Sequence, residues 1–432
     1  MPEHSFTPFP FADVYHEKTE HSWLSVRKPG HSMDWSTQPS PYKRYSSELL
    51  RVSLTEDNPL KRFLYRVAGI TAKKSYPGVE YYLRSNPSAG ALYPNEVYFQ
   101  ARGVEDFPDG IYHLEVASSS AVLLAEIGQE EGLDAYLEDR HRREGLLLCV
   151  SGVYWRSSWK YHDRAFRYVL LDAGHLLGSA EAAAQVEGTD YSIRYRIDRE
   201  GLNQFFGFGR EEWMLSCFDK AAFSEKTVEA PLFALRSVDP TGTFEPNDLI
   251  EQGYRETDRL QGCQEQRRVP KAPFDPDVLA EAIYRRRSIR AFTGTPITLE
   301  ELHRILDWAE APVPSDCDES LHLYMVVNNV EGMKPGLWLG EKLLREGDLS
   351  GRAGYLCLEQ TLGCERAVTF FITGEGNYQP LYQKAGLIGQ RLYLAAEAQG
   401  IGASGIGAYY DQEVQEFLGT KEKVLYAFAV GR

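Results

Sequence analysis

The sequence predicts an α+β fold written twice along one chain of 432 residues. Two observations carry this reading. Apolar runs of strand length are interleaved with segments of helical periodicity, the pattern of an α+β or three-layer protein. The same short segments also recur, in the same order, in the two halves. Pro87-Ser88 pairs with Pro314-Ser315, and Gly110-Ile111-Tyr112 with Gly336-Leu337-Trp338. Leu146 to Gly152 pairs with Val368 to Gly374. Ala173-Gly174 through Gly188 aligns without gaps on Ala385-Gly386 through Gly400, with Ala183-Ala184 falling on Ala395-Ala396.

In chain order, residues 1–40 are rich in Pro, His and Ser and read as an extended arm. A first domain spans 41–236. Within it, Asn58 to Ala72 carries apolar residues at Leu60, Phe63, Leu64 and Val67, the spacing of a helix. Strands are expected at Val97, at Gly110-Ile111-Tyr112 and at Leu146. The segment from Tyr168 to Val186 is apolar on most faces, which predicts a central helix. Residues 237–272 mix Pro, Gly and charged residues and read as a linker with some helix. A second domain, 273–432, opens with a helix near Pro276 to Arg287 and closes on a strand, Leu425 to Val430.

Composition is that of a soluble globular protein. The formal charge of −15 excludes a nucleic-acid partner, because phosphate backbones require a basic surface. No apolar run is long enough to span a membrane, and Met1-Pro2-Glu3-His4 lacks the start of a signal peptide. The six cysteines show no paired spacing, so free thiols in a reducing cytoplasm are expected.

Two motifs carry chemistry. Pro87-Ser88-Ala89-Gly90 bears little side chain and lets a flat or charged group approach the backbone. In an extended segment Arg286, Ser288 and Arg290 face one way. Two guanidinium forks and a hydroxyl suit one phosphate. Counting back from Leu60 puts Lys43-Arg44-Tyr45-Ser46-Ser47-Glu48 at the matching place in the first half, with Glu48 where Arg290 stands. The glycine-containing loop shows the reverse, since the second half has Ser315-Asp316-Cys317-Asp318-Glu319. Each half keeps what the other lost, which predicts one working site of two if a site spans both halves. Lys160-Tyr161 is a candidate acid/base pair, although on residue types alone such a segment is more often a surface turn. Gly400-Ile401-Gly402-Ala403-Ser404-Gly405 matches a dinucleotide fingerprint but follows a helix, the wrong context. His16-Glu17 with His21 has the wrong spacing for a zinc protease, and no other set has metal-ligand spacing.

With these motifs the chain resembles the FMN-dependent nitroreductase superfamily. More narrowly, it resembles the SagB/McbC-type azoline (thiazoline/oxazoline) dehydrogenases. Pro87 to Pro94 and Arg167 to His175 carry the dehydrogenase likeness, and Arg286 to Phe292 the superfamily likeness. The resemblance implies two nitroreductase-like domains, each a mainly antiparallel sheet flanked by helices, forming an intrachain pseudo-dimer with FMN between them. It implies that Arg286, Arg287, Ser288, Arg290 and Arg432 hold the phosphate. Pro87, Ser88, Ala89 and Gly90 would come from the other half. The loop Gly405-Ile406-Gly407 would present a backbone N–H to the flavin, and Lys160 and Tyr161 would be catalytic. A small-molecule or peptide-derived substrate follows, in a fused chain able to pair again. A reductase of nitro or quinone compounds, using NAD(P)H, and a flavin-free scaffold are the alternatives.

Overall fold

A computed structural model describes residues 10–28, 33–55, 58–76, 79–359 and 366–432. Its architecture is α+β, with two large sheets and two long buried helices.

The first sheet holds β1 (Arg51–Ser53), β4 (Asn95–Arg102), β5 (Gly110–Glu115), β6 (Ser120–Glu126), β7 (His141–Val153), β8 (Ser192–Arg194) and β9 (Glu212–Thr227). Between β1 and β4, β2 (Ile70–Tyr76) and β3 (Val79–Arg84) form a separate ribbon. In the C-terminal half, β10 (Ile297–Thr298) pairs only with β12 (Val330–Glu331). The second sheet holds β11 (Ser320–Val327), β13 (Gly336–Leu339), β14 (Lys342–Glu346), β15 (Val368–Glu375), β16 (Gly402–Ile406) and β17 (Lys423–Gly431). The first sheet runs β1-β6-β5-β4-β7-β9-β8 and the second β14-β13-β11-β15-β17-β16, all antiparallel. With β1 set aside, each strand of one sheet has a counterpart at the same place in the other.

The helix Ala165–Glu187 lies between β7 and β8, and the helix Tyr378–Glu397 between β15 and β16. Both are buried nearly all round because each is covered by its own sheet and by the other helix. They cross at Gly174 and Gly386. A methyl group on either would overlap a carbonyl of the opposite helix, Gln383 O or Leu171 O, so only glycine allows this approach. The bidentate pair of Arg391 with Glu181 also joins the helices, with both side chains wholly buried and both N···O distances 2.7 Å. Such a pair fixes register, and removing one partner strands a buried charge.

The arm differs from the extended reading. Pro10–Lys18 is a helix, because Tyr15 finds a buried seat edge-on to Phe166 and Tyr378 at the start of both long helices. Helices elsewhere begin at strong caps, as at Asn58 for Pro59–Ala68 and in the Thr298–Glu301 capping box for Leu299–Ala309.

The cysteine expectation is corrected. Cys263 and Cys317 form a disulfide, which ties the linker to the segment after Pro314. Fifty-four residues separate them, and only the fold brings them together. Cys149, Cys217 and Cys357 are free and buried, and Cys364 lies outside the described residues. Among the described residues no helix is long and apolar enough to cross a membrane.

Candidate active site between the two halves

A cavity of about 320 Å³ opens where the two halves meet. The first half contributes Pro87, Ser88, Ala89, Gly90, Lys160, Tyr161, Tyr168, Asp172 and His175. The second contributes Ser288, Arg290, Tyr393, Gly405, Ile406, Gly407 and Tyr426. An outer cavity of about 400 Å³ shares Pro87, Ser88, Gly90, Lys160, Ser288 and Arg290, and adds Trp35, Lys74, Trp159, Arg286 and Arg287. Arg432 lines neither. It pairs with Glu301 and donates to the carbonyl of Pro296, so its guanidinium is engaged elsewhere.

The loop at Ser88 is fastened from below. Ser88 Oγ donates to Asp172 Oδ2 at 2.5 Å, and the Ala89 N–H reaches the same carboxylate at 3.2 Å. The Tyr93 N–H donates back to Ser88 Oγ at 2.8 Å. These bonds hold Gly90, Ala91 and Tyr93 at positive φ (64°, 56° and 47°), strain of the kind found at working sites. Asp172 is buried in the long helix with no cation paired to it among the described residues. Burial pushes its carboxyl up to about 7, against the pull of the Ser88 and Ala89 bonds.

Lys160 and Tyr161 end the helix Tyr154–Tyr161, and the chain reverses at His162, whose φ is 48°. They are not a surface turn. A Cβ placed on Gly90 would lie 2.7 Å from Tyr161 Oη and 3.2 Å from Lys160 Nζ, so both polar ends converge on the glycine. Neither Lys160 Nζ nor Tyr161 Oη has a hydrogen-bond partner among the described residues. Burial, then the nearby Arg290, lowers the Lys160 ammonium below the ordinary lysine range. Burial raises the Tyr161 phenol, as do Tyr168 and Asp172, so it stays protonated.

The arginine segment divides its labour. Arg286 is buried and donates to the carbonyls of Ser85 and Arg84. Arg287 donates to Tyr284, Arg286 and Thr71 carbonyls. Arg286 staples the second half to the residues before the glycine loop, and Arg287 to β2 of the first half. Arg290 is exposed at the cavity with no anionic partner among the described residues. Tyr393 Oη accepts the Gly405 N–H at 2.7 Å and lies 2.8 Å from Ser288 Oγ. Either hydroxyl can donate in this pair; with Tyr393 as donor, the serine hydroxyl is free to donate into the cavity.

In the other direction the matching loop is bonded onto the opposite strand, and the cavity of about 630 Å³ beside it is lined by Gln266, Val313, Asp318, Glu319 and Lys384. The Ile193 N–H donates to Pro314 O at 2.9 Å, and the Asp316 N–H to Ile193 O at 3.2 Å. The Asp316 carboxylate takes the N–H groups of Tyr195 and Arg196, and linker residue Gln266 exchanges two backbone bonds with Ser315. At Asp172's counterpart stands Lys384, which donates to Cys317 O. Lys43, from the segment matched to the arginines, is buried elsewhere, with Nζ on Glu212 (2.6 Å) and Tyr98 (2.9 Å).

Sequence reasoning assigned no role to Asp172, Tyr393 or Trp35. An acid inside a helix that is apolar on most faces is a usable signal for Asp172, because a buried charge needs partners. The other two carry no spacing signal.

A nitroreductase-family model matches residues 283–432. A Methanocaldococcus jannaschii protein named "Putative nitroreductase MJ1384" is 26% identical over 186 residues, 36% of this chain and 94% of its own. A crystal structure of an Anabaena variabilis protein that carries the same description is 27% identical. It covers 98% of this chain and 99% of its own, with a TM-score of 0.80. The fold is therefore that of the nitroreductase superfamily, and with it comes an oxidoreductase type of enzyme. The Anabaena protein resembles this chain along its whole length, both halves together.

Proposed function

We propose that this chain is an FMN-dependent dehydrogenase of the azoline-oxidising kind, with one flavin between two nitroreductase-like domains, 41–236 and 273–432, acting as a fused pseudo-dimer. One observation carries the reading: Arg290 and the Ser288 hydroxyl of one half face the glycine loop and Lys160 of the other across one cavity, with no anionic partner for either cation among the described residues. In a chain of net charge −15, uncompensated cations around a cavity call for an anionic ligand.

The residues fit FMN. Arg290 and Ser288 can take its phosphate, with Arg286 lending charge from behind. Gly90 and the small residues beside it leave room for a flat ring. Bound there, FMN supplies the two-electron acceptor.

The chain supplies orientation and the proton acceptor. Lys160 is the better base, because burial and Arg290 make its ammonium give up a proton more readily than an ordinary lysine, whereas Tyr161 is held as a phenol and serves as a hydrogen-bond donor. The proton leaves the substrate carbon for Lys160 Nζ. Asp172 holds the Ser88 loop against the pair.

The names of the relatives favour a second reading, NAD(P)H-dependent reduction of nitro or quinone compounds, which needs neither Lys160 nor Tyr161. Assays of Lys160→Ala and Tyr161→Phe with both substrate types decide. Loss of azoline oxidation with flavin retained supports the dehydrogenase; unchanged oxidation in both variants removes it.

A further inference from the structure

We propose that the substrate is an azoline that carries a flat aryl ring and a carboxylate, received in the outer cavity beneath Trp35, with the aromatic azole carboxylate as the product released there. The first argument is charge. Lys74, Lys160, Arg286, Arg287 and Arg290 line that cavity, and no aspartate or glutamate does. The hydrogen-bond partners of Arg286 and Arg287 are neutral carbonyls, and among the described residues no carboxylate pairs with any of the five. A phosphate monoester carries about two negative charges. Resting on the flavin reading for that one occupant, the cavity still holds an excess of cations, which a second anion offsets.

The second argument is shape. Trp35 sits edge-on to Trp159 with ring centroids 5.4 Å apart, and Trp159 Nε1 donates to Thr37 Oγ1 at 3.0 Å. That bond ties the arm to the helix bearing Lys160. Trp35 nevertheless remains 58% exposed, a large indole face left at the cavity. Such faces pack against flat rings, with a gain beyond area burial. A carboxylate at the lysines and a ring on the indoles satisfy both features.

Titration calorimetry on the protein with its flavin counted, using 2-phenylthiazole-4-carboxylate and the matching carboxamide as probes, tests this. The carboxylate is expected to bind about tenfold tighter, the worth of one charge-assisted bond. Lys74→Gln combined with Lys160→Gln should abolish that preference, and Trp35→Ala should weaken both probes while leaving flavin content unchanged. Equal affinity for the two probes, or a preference that survives the double replacement, overturns the proposal. Flavin content is read separately by absorbance, so a chain that binds no FMN yet prefers the carboxylate would sink the flavin reading and keep the site for the ring and its carboxylate.

Discussion

Ser88 Oγ donates to Asp172 Oδ2 at 2.5 Å, from a loop at the cavity to a fully buried carboxyl on the long helix beneath it. This contact makes the glycine loop a fixed wall, because the same carboxylate also takes the Ala89 N–H.

The buried carboxyl gives the fold a pH signature. Its folded pKa, about 7, is raised above the ordinary aspartate value. Through the window from about 4 to 7 the unfolded chain releases this proton while the folded chain keeps it, so stability falls as pH rises and levels off above. In Asp172→Asn, denaturant titrations across that window should lose this component, a difference of about one proton. An unchanged slope would show that the carboxyl is not the source.

Gly90→Ala should injure both stability and catalysis. Its φ of +64° costs an alanine roughly 1–2 kcal/mol, and the added methyl meets Tyr161 Oη and Lys160 Nζ. Thermal melting and turnover are expected to fall together; a variant with wild-type turnover would mean that the pair does not work at Gly90.

Lys160→Ala should lower dehydrogenation by about 10²–10⁴ with flavin retained, the range for loss of a positioned base. In the wild-type protein the rising limb of kcat/KM with pH should lie below that of an ordinary lysine, because burial and Arg290 lower the ammonium pKa. A limb that stays in place in Lys160→Ala would assign it to another group.

Tyr393→Phe removes the acceptor of the Gly405 N–H and the hydrogen-bond partner of Ser288. About 1–3 kcal/mol of stability should be lost. FMN affinity, followed by flavin fluorescence, should weaken because the serine hydroxyl loses its set orientation. An unaltered affinity would show that Ser288 needs no such partner.

The α+β class was legible because strand-length apolar runs and a helix apolar on most faces recur in order. Contiguous motifs were legible too: Pro87 to Gly90, Lys160-Tyr161 and Ser288 to Arg290 carry their chemistry in neighbouring residues, and the fold brings them to one cavity. Tertiary partners were not. Tyr393 is one of 26 tyrosines, and nothing local distinguishes it. Cys263 and Cys317 meet only because the linker pairs with Ser315. Counting back from a helix misplaced Lys43, since a loop preserves neither length nor path between repeats.

The central claim is one flavin for two halves. Releasing and counting FMN per chain in the purified protein, with Arg290→Ala alongside, tests it most directly. One FMN per chain, lost or much weakened in Arg290→Ala, is the result expected from an open site at Arg290 and a loop bonded onto the opposite strand at Asp316. Two per chain, or one that ignores Arg290→Ala, would contradict it.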